Sequence, residues 1–208
     1  MSLRISEIFY SLQGESTQAG RPCAFVRLAG CDLACSYCDT PAARQAGTEM
    51  PVEEILAAVA GFGCPLVEVT GGEPLQQPET PELCRRLADA GHAVLLETNG
   101  SRPLAGLDPR VVRIMDVKTP GSGMAASFDA SNLAVLRPPD QVKFVLTGEA
   151  DYAWARQFLR DHPLPDGVEA LFSPVTPGLE PAVLARWILR DRLPVRLQVQ
   201  LHKWLDLP

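Results

Sequence analysis

Cys31, Cys35 and Cys38 stand in the order Cys-x3-Cys-x2-Cys, with Tyr37 just before the last, in a polar, turn-like stretch that follows the apolar run Cys23 to Leu28. Whatever this chain folds into must gather three thiols in one loop beyond a strand. Three thiolates hold a four-iron cluster while leaving one iron without a protein ligand, whereas electron-transfer clusters are normally held by four cysteines. A set of three with no nearby fourth points to an iron kept open for chemistry. A structural zinc site is the first competing reading. It needs four closed ligands, and His92, His162 and His202 all lie far from the trio in sequence. Unrelated buried thiols are the second, because free cysteine is a common core residue. Cys23, Cys64 and Cys84 fit that description, each beside apolar residues with no spaced partner. The clustered trio fits a metal cluster better.

The remaining bounds are broad. A chain of 208 residues is expected to form one domain, residues 1–208, with a single sizeable core. A net charge of −6 without a Lys/Arg block argues against a nucleic-acid-binding surface. No 18-residue apolar run exists, and Met1-Ser2-Leu3-Arg4-Ile5 lacks the apolar segment of a signal peptide, so neither a membrane nor an export route is expected. In a reducing cytoplasm, the expected location, the cysteines read as thiols or metal ligands and not as disulfides.

Short aliphatic runs alternate with amphipathic stretches, which predicts βα units and a mainly parallel sheet. Strands are expected near Cys23 to Leu28, Pro65 to Thr70, Ala93 to Glu97, Val111 to Val117, Gln141 to Leu146, Ala170 to Ser173 and Val195 to Gln200. Helices are expected near Pro51 to Gly61, Pro81 to Ala90, Tyr152 to Asp161 and Pro181 to Arg190. Pro51, Pro81 and Pro181 suit a first helical turn, and Gly61 and Gly91 suit left-handed caps. The segment Thr119 to Pro139, rich in Gly, Ser and Pro, reads as an ordered functional loop or a mobile lid standing where a crossover helix would be, which disfavours a complete eight-unit barrel. Four strands run into polar or glycine-rich sequence: Thr70-Gly71-Gly72-Glu73, Glu97-Thr98-Asn99-Gly100, Asp116-Val117-Lys118 and Ser173-Pro174. In parallel α/β folds the carboxyl ends of the strands build the site. Polar strand ends are also what solvated loops produce, so this signal gains its weight from the cysteines beside it.

The cysteine motif with Gly71-Gly72-Glu73-Pro74 after the next strand resembles the radical S-adenosylmethionine (SAM) superfamily. Within it, Glu7-Ile8-Phe9-Tyr10-Ser11-Leu12-Gln13-Gly14-Glu15, Phe25-Val26-Arg27-Leu28-Ala29-Gly30-Cys31, Cys38-Asp39-Thr40 and the stretch Gln200 to Pro208 are similar to the 7-carboxy-7-deazaguanine synthase family. The resemblance runs from end to end. It implies a shortened, modified α/β barrel with about six or seven mainly parallel strands. It also implies conversion of 6-carboxy-5,6,7,8-tetrahydropterin to 7-carboxy-7-deazaguanine with loss of ammonia, on a route to 7-deazapurines such as queuosine. The cofactors it implies are a 4Fe-4S cluster on Cys31, Cys35 and Cys38, SAM, and Mg²⁺ with Thr40 as its protein ligand, a sparse ligand set that suits a hard ion.

The same resemblance implies a pterin site at Leu12, Gln13, Gly14, Glu15, Arg27, Thr70, His202 and the carboxylate of Pro208. Gln13 and Glu15 together could read the amino-pyrimidinone edge. Arg27, a cation inside an apolar run, needs a partner, and the substrate carboxylate suits its fork. Around SAM it implies Tyr37, Cys38, Asp39, Gly72, Glu73, Asp116, Val117, Lys118, Ser173, Pro174, Val175 and Thr176, with the later loops departing most from the family. An electron donor such as flavodoxin or ferredoxin and a homodimer are implied too. The rival readings are another radical SAM enzyme, such as a glycyl-radical activase, and a non-catalytic iron-sulfur or zinc protein. The pterin-site match speaks against the first, and SAM cleavage by a reconstituted cluster separates the second.

Overall fold

The computed structural model describes residues 1–45 and 47–208. Its strands are β1 (Ser2–Leu12), β2 (Pro22–Leu28), β3 (Thr48–Pro51), β4 (Leu66–Gly71), β5 (Ala93–Thr98), β6 (Val112–Asp116), β7 (Gln141–Leu146), β8 (Glu169–Pro174) and β9 (Arg196–Leu197). They form one nine-stranded sheet in the order β3-β1-β2-β4-β5-β6-β7-β8-β9, open at both edges. From β2 through β4 to β9 every pairing is parallel, while β1 runs antiparallel to both β2 and β3. The helices are α1 (Val52–Gly61), α2 (Thr80–Asp89), α3 (Glu149–Asp161), α4 (Pro181–Asp191) and α5 (Leu201–Leu205). The result is a mixed α/β fold with a mostly parallel, unclosed sheet.

Side chains alternate across a strand, so each one serves two environments. Val142, Phe144 and Leu146 of β7 join the apolar core, whereas Lys143 and Val145 face a cavity on the other side. The same division separates Val67 and Val69 from Glu68 and Thr70 on β4, and Ala24, Val26 and Leu28 from Arg27 on β2, while Phe25 both lines the cavity and packs with the core. An edge-to-face aromatic chain, Phe128-Phe158-Phe144-Phe172-Tyr152, fastens the core side of β7 and β8 to α3.

Several expected elements differ. The long strand β1 was not expected, because a register shift between Ile5 and Glu7 interrupts its alternation and its later residues meet the cavity, not the core. The four-residue edge strand β3 and the short helix α5 were not expected either. Val195 to Gln200 yields only two ladder residues, Arg196 and Leu197, because Gln198 and Gln200 turn their amides to the segment after β1. Pro51 ends β3 just before α1 and is not in its first turn. Gly61 lies within α1, and the left-handed residue is Gly63 at φ +61°. Gly91, at φ +92°, follows α2 as expected.

The stretch Thr119 to Pro139 is ordered and hydrogen-bonded to the body of the fold. It folds into short 3-10 turns at Pro120–Ser122, Ala125–Ser127 and Ala130–Val135. The Thr119 hydroxyl donates to the Val145 carbonyl at 2.9 Å, and the buried Asn132 amide donates to the Gly100 and Arg102 carbonyls.

Candidate active site

The cavity-facing residues of β1, β2 and β4 to β7, with the Cys loop and the α5 segment, enclose about 400 Å³. Cys31, Cys35 and Cys38 all line it. Their loop is braced from two sides. Ser36 donates through its hydroxyl to Gly121 O at 2.8 Å and through its amide to Ser122 O at 3.0 Å. On the other side, Asn99 Nδ2 and Ser101 Oγ donate to the two oxygens of Asp32 at 3.0 and 2.7 Å. Gly72 lines the cavity at the closest approach of β4 to this loop, where a Cβ would run into the Gly30 carbonyl. Only glycine lets the two backbones meet there.

Among the described residues no three Cys, His, Asp or Glu side chains converge on a single ion position, as a tetrahedral zinc site would require. Three thiols lining one end of a cavity, with no fourth beside them among the described residues, are the donor set of a four-iron cluster with one open iron. Burial pushes the Cys31 and Cys35 thiols up, against which the Lys118 ammonium works as the nearest cation. Tyr37 closes this end, its ring 6.0 Å from Lys118 Nζ, and burial reinforced by Asp116 pushes its hydroxyl up to about 12.

At the opposite end the segment after β1 plugs the floor. Gln13 Nε2 donates to Glu68, and Gln13 Oε1 accepts from the Glu15 amide at 3.0 Å. Glu15 accepts from Lys143 Nζ at 2.7 Å, Gln198 Nε2 at 3.0 Å and Gln200 Nε2 at 2.7 Å. Lys143, 3% exposed, also donates to Glu97 and lies 3.3 Å from Asp116 Oδ2, which takes a closer bond from Lys118 at 2.9 Å. Burial alone would drive the Lys143 ammonium toward its neutral form, yet three carboxylates hold its pKa well above the ordinary value. The same contact works in reverse on Glu15, where burial alone would raise the carboxyl and Lys143 instead keeps it below the usual range. Glu68 forms no ion pair among the described residues, so burial and the Glu97 carboxylate raise it to about 8 against the opposing pull of the Gln13 amide and the more distant Lys143.

Arg27, 17% exposed at its side chain, donates through Nε to Glu7 at 2.7 Å across the β1–β2 pair and lies 5.5 Å from the Phe9 ring centroid. Its terminal nitrogens have no hydrogen-bond partner among the described residues, which leaves a fork edge for an anion in the cavity. His202 lies against Gly14, where a Cβ would strike its ring, and the Leu201 amide donates to Gly14 O at 2.9 Å. Thr40 and Pro208 line the same space.

The structure therefore brings together Leu12, Gln13, Gly14, Glu15, Arg27, Cys31, Cys35, Tyr37, Cys38, Asp39, Thr40, Thr70, Gly72, Asp116, Lys118, Val175, His202 and Pro208. Five expected residues lie outside the lining. Glu73 is 0% exposed, its carboxylate committed to Thr98 Oγ1, Leu75 N and Asn99 N at 2.7–2.9 Å, so it braces the turn behind Gly72. Val117 is a core residue, Ser173 and Pro174 are buried at the end of β8, and Thr176 points away. Glu68, Glu97 and Lys143 were missed. The signal for them was available: each is a charge inside an otherwise apolar strand, the argument that singled out Arg27.

The sequence pattern of the Radical SAM superfamily matches residues 26–118. A protein named 7-carboxy-7-deazaguanine synthase from Chlorobaculum tepidum is 50% identical over 98% of this chain and 94% of its own length. One of the same name from Koribacter versatilis is 43% identical over 99% of this chain and 98% of its own length. Among solved structures, QueE from Escherichia coli superposes with a TM-score of 0.81 over 96% of this chain and 94% of that one, at 20% identity. SuiB from Streptococcus suis shares less of the fold, at a TM-score of 0.57 and 13% identity over 82% of this chain and 46% of that one. With a cysteine-lined cavity at the ends of parallel strands and relatives of this identity along its whole length, the chain belongs to the 7-carboxy-7-deazaguanine synthase family of the radical SAM superfamily.

Proposed function

We propose that this chain converts 6-carboxy-5,6,7,8-tetrahydropterin to 7-carboxy-7-deazaguanine and ammonia, with residues 1–208 acting as one domain. The observation that carries the reading is that one cavity holds both the three-cysteine loop and the segment Gln13-Gly14-Glu15 with Arg27 and His202. Cys31, Cys35 and Cys38 would hold a 4Fe-4S cluster, and Tyr37, Asp39, Gly72, Asp116, Lys118 and Val175 would border SAM. When bound, these groups would supply a 5′-deoxyadenosyl radical that takes a hydrogen from C6 of the substrate and gives one back after the ring has contracted, so that SAM is regenerated.

The chain's own residues position and enclose. Arg27, held at Nε by Glu7, turns its free edge to the substrate carboxylate. Thr40 offers a hydroxyl for Mg²⁺ beside that carboxylate. Lys143, buried with Glu15, Glu97 and Asp116, makes a rigid floor joining the pterin end to the SAM end. Phe9, Phe25, Leu33 and Ile114 supply apolar walls that exclude water from a reactive intermediate. Conversion to product and ammonia changes no overall oxidation state, so no residue is needed as a redox partner. A flavodoxin or ferredoxin as electron donor, a homodimer and a cytoplasmic location complete the proposal. Among the described residues no helix is long and apolar enough to cross a membrane.

The test is anaerobic reconstitution followed by reduction in the presence of SAM, with and without 6-carboxytetrahydropterin. About four irons per chain, slow 5′-deoxyadenosine release without the pterin, and, with it, product in excess of any 5′-deoxyadenosine released are expected, because a redox-neutral conversion returns the hydrogen and regenerates SAM. An intact reduced cluster that does not cleave SAM would sink the enzymatic reading.

A further inference from the structure

We propose that Glu68 is the group that selects the ring, accepting hydrogen bonds from the adjacent N–H donors of a 2-aminopyrimidin-4-one edge; this rests on the pterin reading above. Both oxygens of Glu15, the carboxylate that the sequence offers for that task, already accept hydrogen bonds from the protein. Its Oε2 takes Lys143 and Gln198, and its Oε1 takes Gln200. Glu97 is occupied at both oxygens, by Lys143 and by Thr70. Asp116 takes Lys118 and Lys143 at Oδ2, and its Oδ1 is sealed from solvent without a partner. Glu68 differs from all three. Its Oε2 accepts from the Gln13 amide, while Oε1 has no hydrogen-bond partner among the described residues.

Glu68 is 5% exposed, lines the cavity, and forms no ion pair among the described residues. A carboxyl group buried with one amide donor is unfavourable unless further donors reach it. An amino group next to a ring N–H supplies two parallel donors, the geometry that a carboxyl group accepts best. Glu68 lies two residues before Thr70 on the same face of β4. Gln13 fixes its orientation, being itself held at Oε1 by the Glu15 amide. Burial and the neighbouring Glu97 carboxylate raise Glu68, and a ligand donating two N–H groups would favour the ionised form again. A merely structural role, in which Glu68 only anchors Gln13, predicts no ring selectivity.

The two roles separate in a binding experiment on the reconstituted, SAM-bound and unreduced protein, so that no turnover occurs. The probes are 6-carboxypterin and its 2-oxo counterpart, in which the amino donor is replaced by an acceptor. Wild type is expected to favour the 2-amino ring by at least about tenfold, as sites built around a specific donor do. Glu68→Gln, whose amide can present either a donor or an acceptor, should bring the ratio close to one while SAM affinity stays unchanged. Glu68→Met provides the same comparison should the glutamine variant fail to fold. A wild-type ratio near one, or a variant that weakens both ligands equally, overturns the assignment while leaving the pterin reading intact. Wild-type protein that binds neither ligand contradicts the pterin reading, and the Glu68 assignment falls with it.

Discussion

The Lys143 ammonium donates to Glu15 Oε2 at 2.7 Å, fastening β7 to the segment that follows β1 across 128 residues of chain. The same nitrogen also bonds Glu97 and lies near Asp116, so a single buried cation compensates carboxylates from three separate elements.

Lys143→Met removes that compensation and leaves the partly buried Glu15 and Glu97 without a cation, while Asp116 keeps Lys118. Breaking one side of a buried ion pair typically destabilises by about 3–5 kcal/mol, and a loss in that range is expected in urea unfolding. Adding Glu15→Gln to Lys143→Met should recover part of the loss, because one uncompensated charge is then gone. A single variant within about 0.5 kcal/mol of wild type, the range of an inert surface change, would show that the cluster is not a stability element.

Gly14 is constrained by its neighbour and not by its own dihedral angles. Gly14→Ala drives a methyl group into the His202 ring, so α5 should detach from the cavity, with a stability loss of about 1–3 kcal/mol as for other overpacked contacts and weaker pterin binding. Gly14→Ala combined with His202→Ala should regain stability without regaining pterin affinity. Thermal unfolding and pterin titration of the single and double variants check both parts. A stable, tight-binding Gly14→Ala protein would contradict the packing.

Glu68 makes stability depend on pH with a defined sign. The folded chain raises this carboxyl from its ordinary 4.5 to about 8, so between those values the folded state holds more protons than the unfolded one, and stability falls as the pH rises through that window. Glu68→Gln is neutral at every pH. Relative to wild type it should gain stability between pH 5 and pH 8, by on the order of a few kcal/mol. Denaturant unfolding at the two pH values reads the difference. Parallel pH profiles would mean that Glu68 is ionised in the folded protein throughout.

The six thiols divide into two sets with opposite behaviour. Cys31→Ala, Cys35→Ala or Cys38→Ala should each lower iron content below four per chain and abolish SAM cleavage. Cys84→Ala, in a fully buried core position, should keep its iron and lose roughly 1 kcal/mol of stability through a small cavity. Iron analysis and unfolding of the four variants test the division. Full iron loading with SAM cleavage in any variant of the trio would refute that ligand.

Much of the fold was legible because core-facing strands carry their pattern openly. Gln141 to Leu146 was expected with the bounds that β7 has, since four of its six residues are aliphatic or aromatic. The strand β1 was not legible. Its register shift interrupts the alternation, and Glu7 and Phe9 answer to a cavity that local sequence does not reveal. Most of the candidate site was legible at the cysteine motif and the strand ends, where short-range spacing carries the information. Lys143, Glu97 and Glu68 each carry a signal as a charge in a largely apolar strand, but their partners lie on other elements, and local sequence does not show them. For Glu73 the motif gives its position in the chain but not that its carboxylate turns to Thr98, Leu75 and Asn99 behind Gly72.

The most direct measurement is of the products formed when the anaerobically reconstituted, reduced protein is incubated with SAM, Mg²⁺ and 6-carboxy-5,6,7,8-tetrahydropterin. The account predicts 7-carboxy-7-deazaguanine and ammonia in equal amounts, with the pterin consumed to match. Consumption of SAM to 5′-deoxyadenosine with the pterin recovered unchanged and no ammonia released would contradict it.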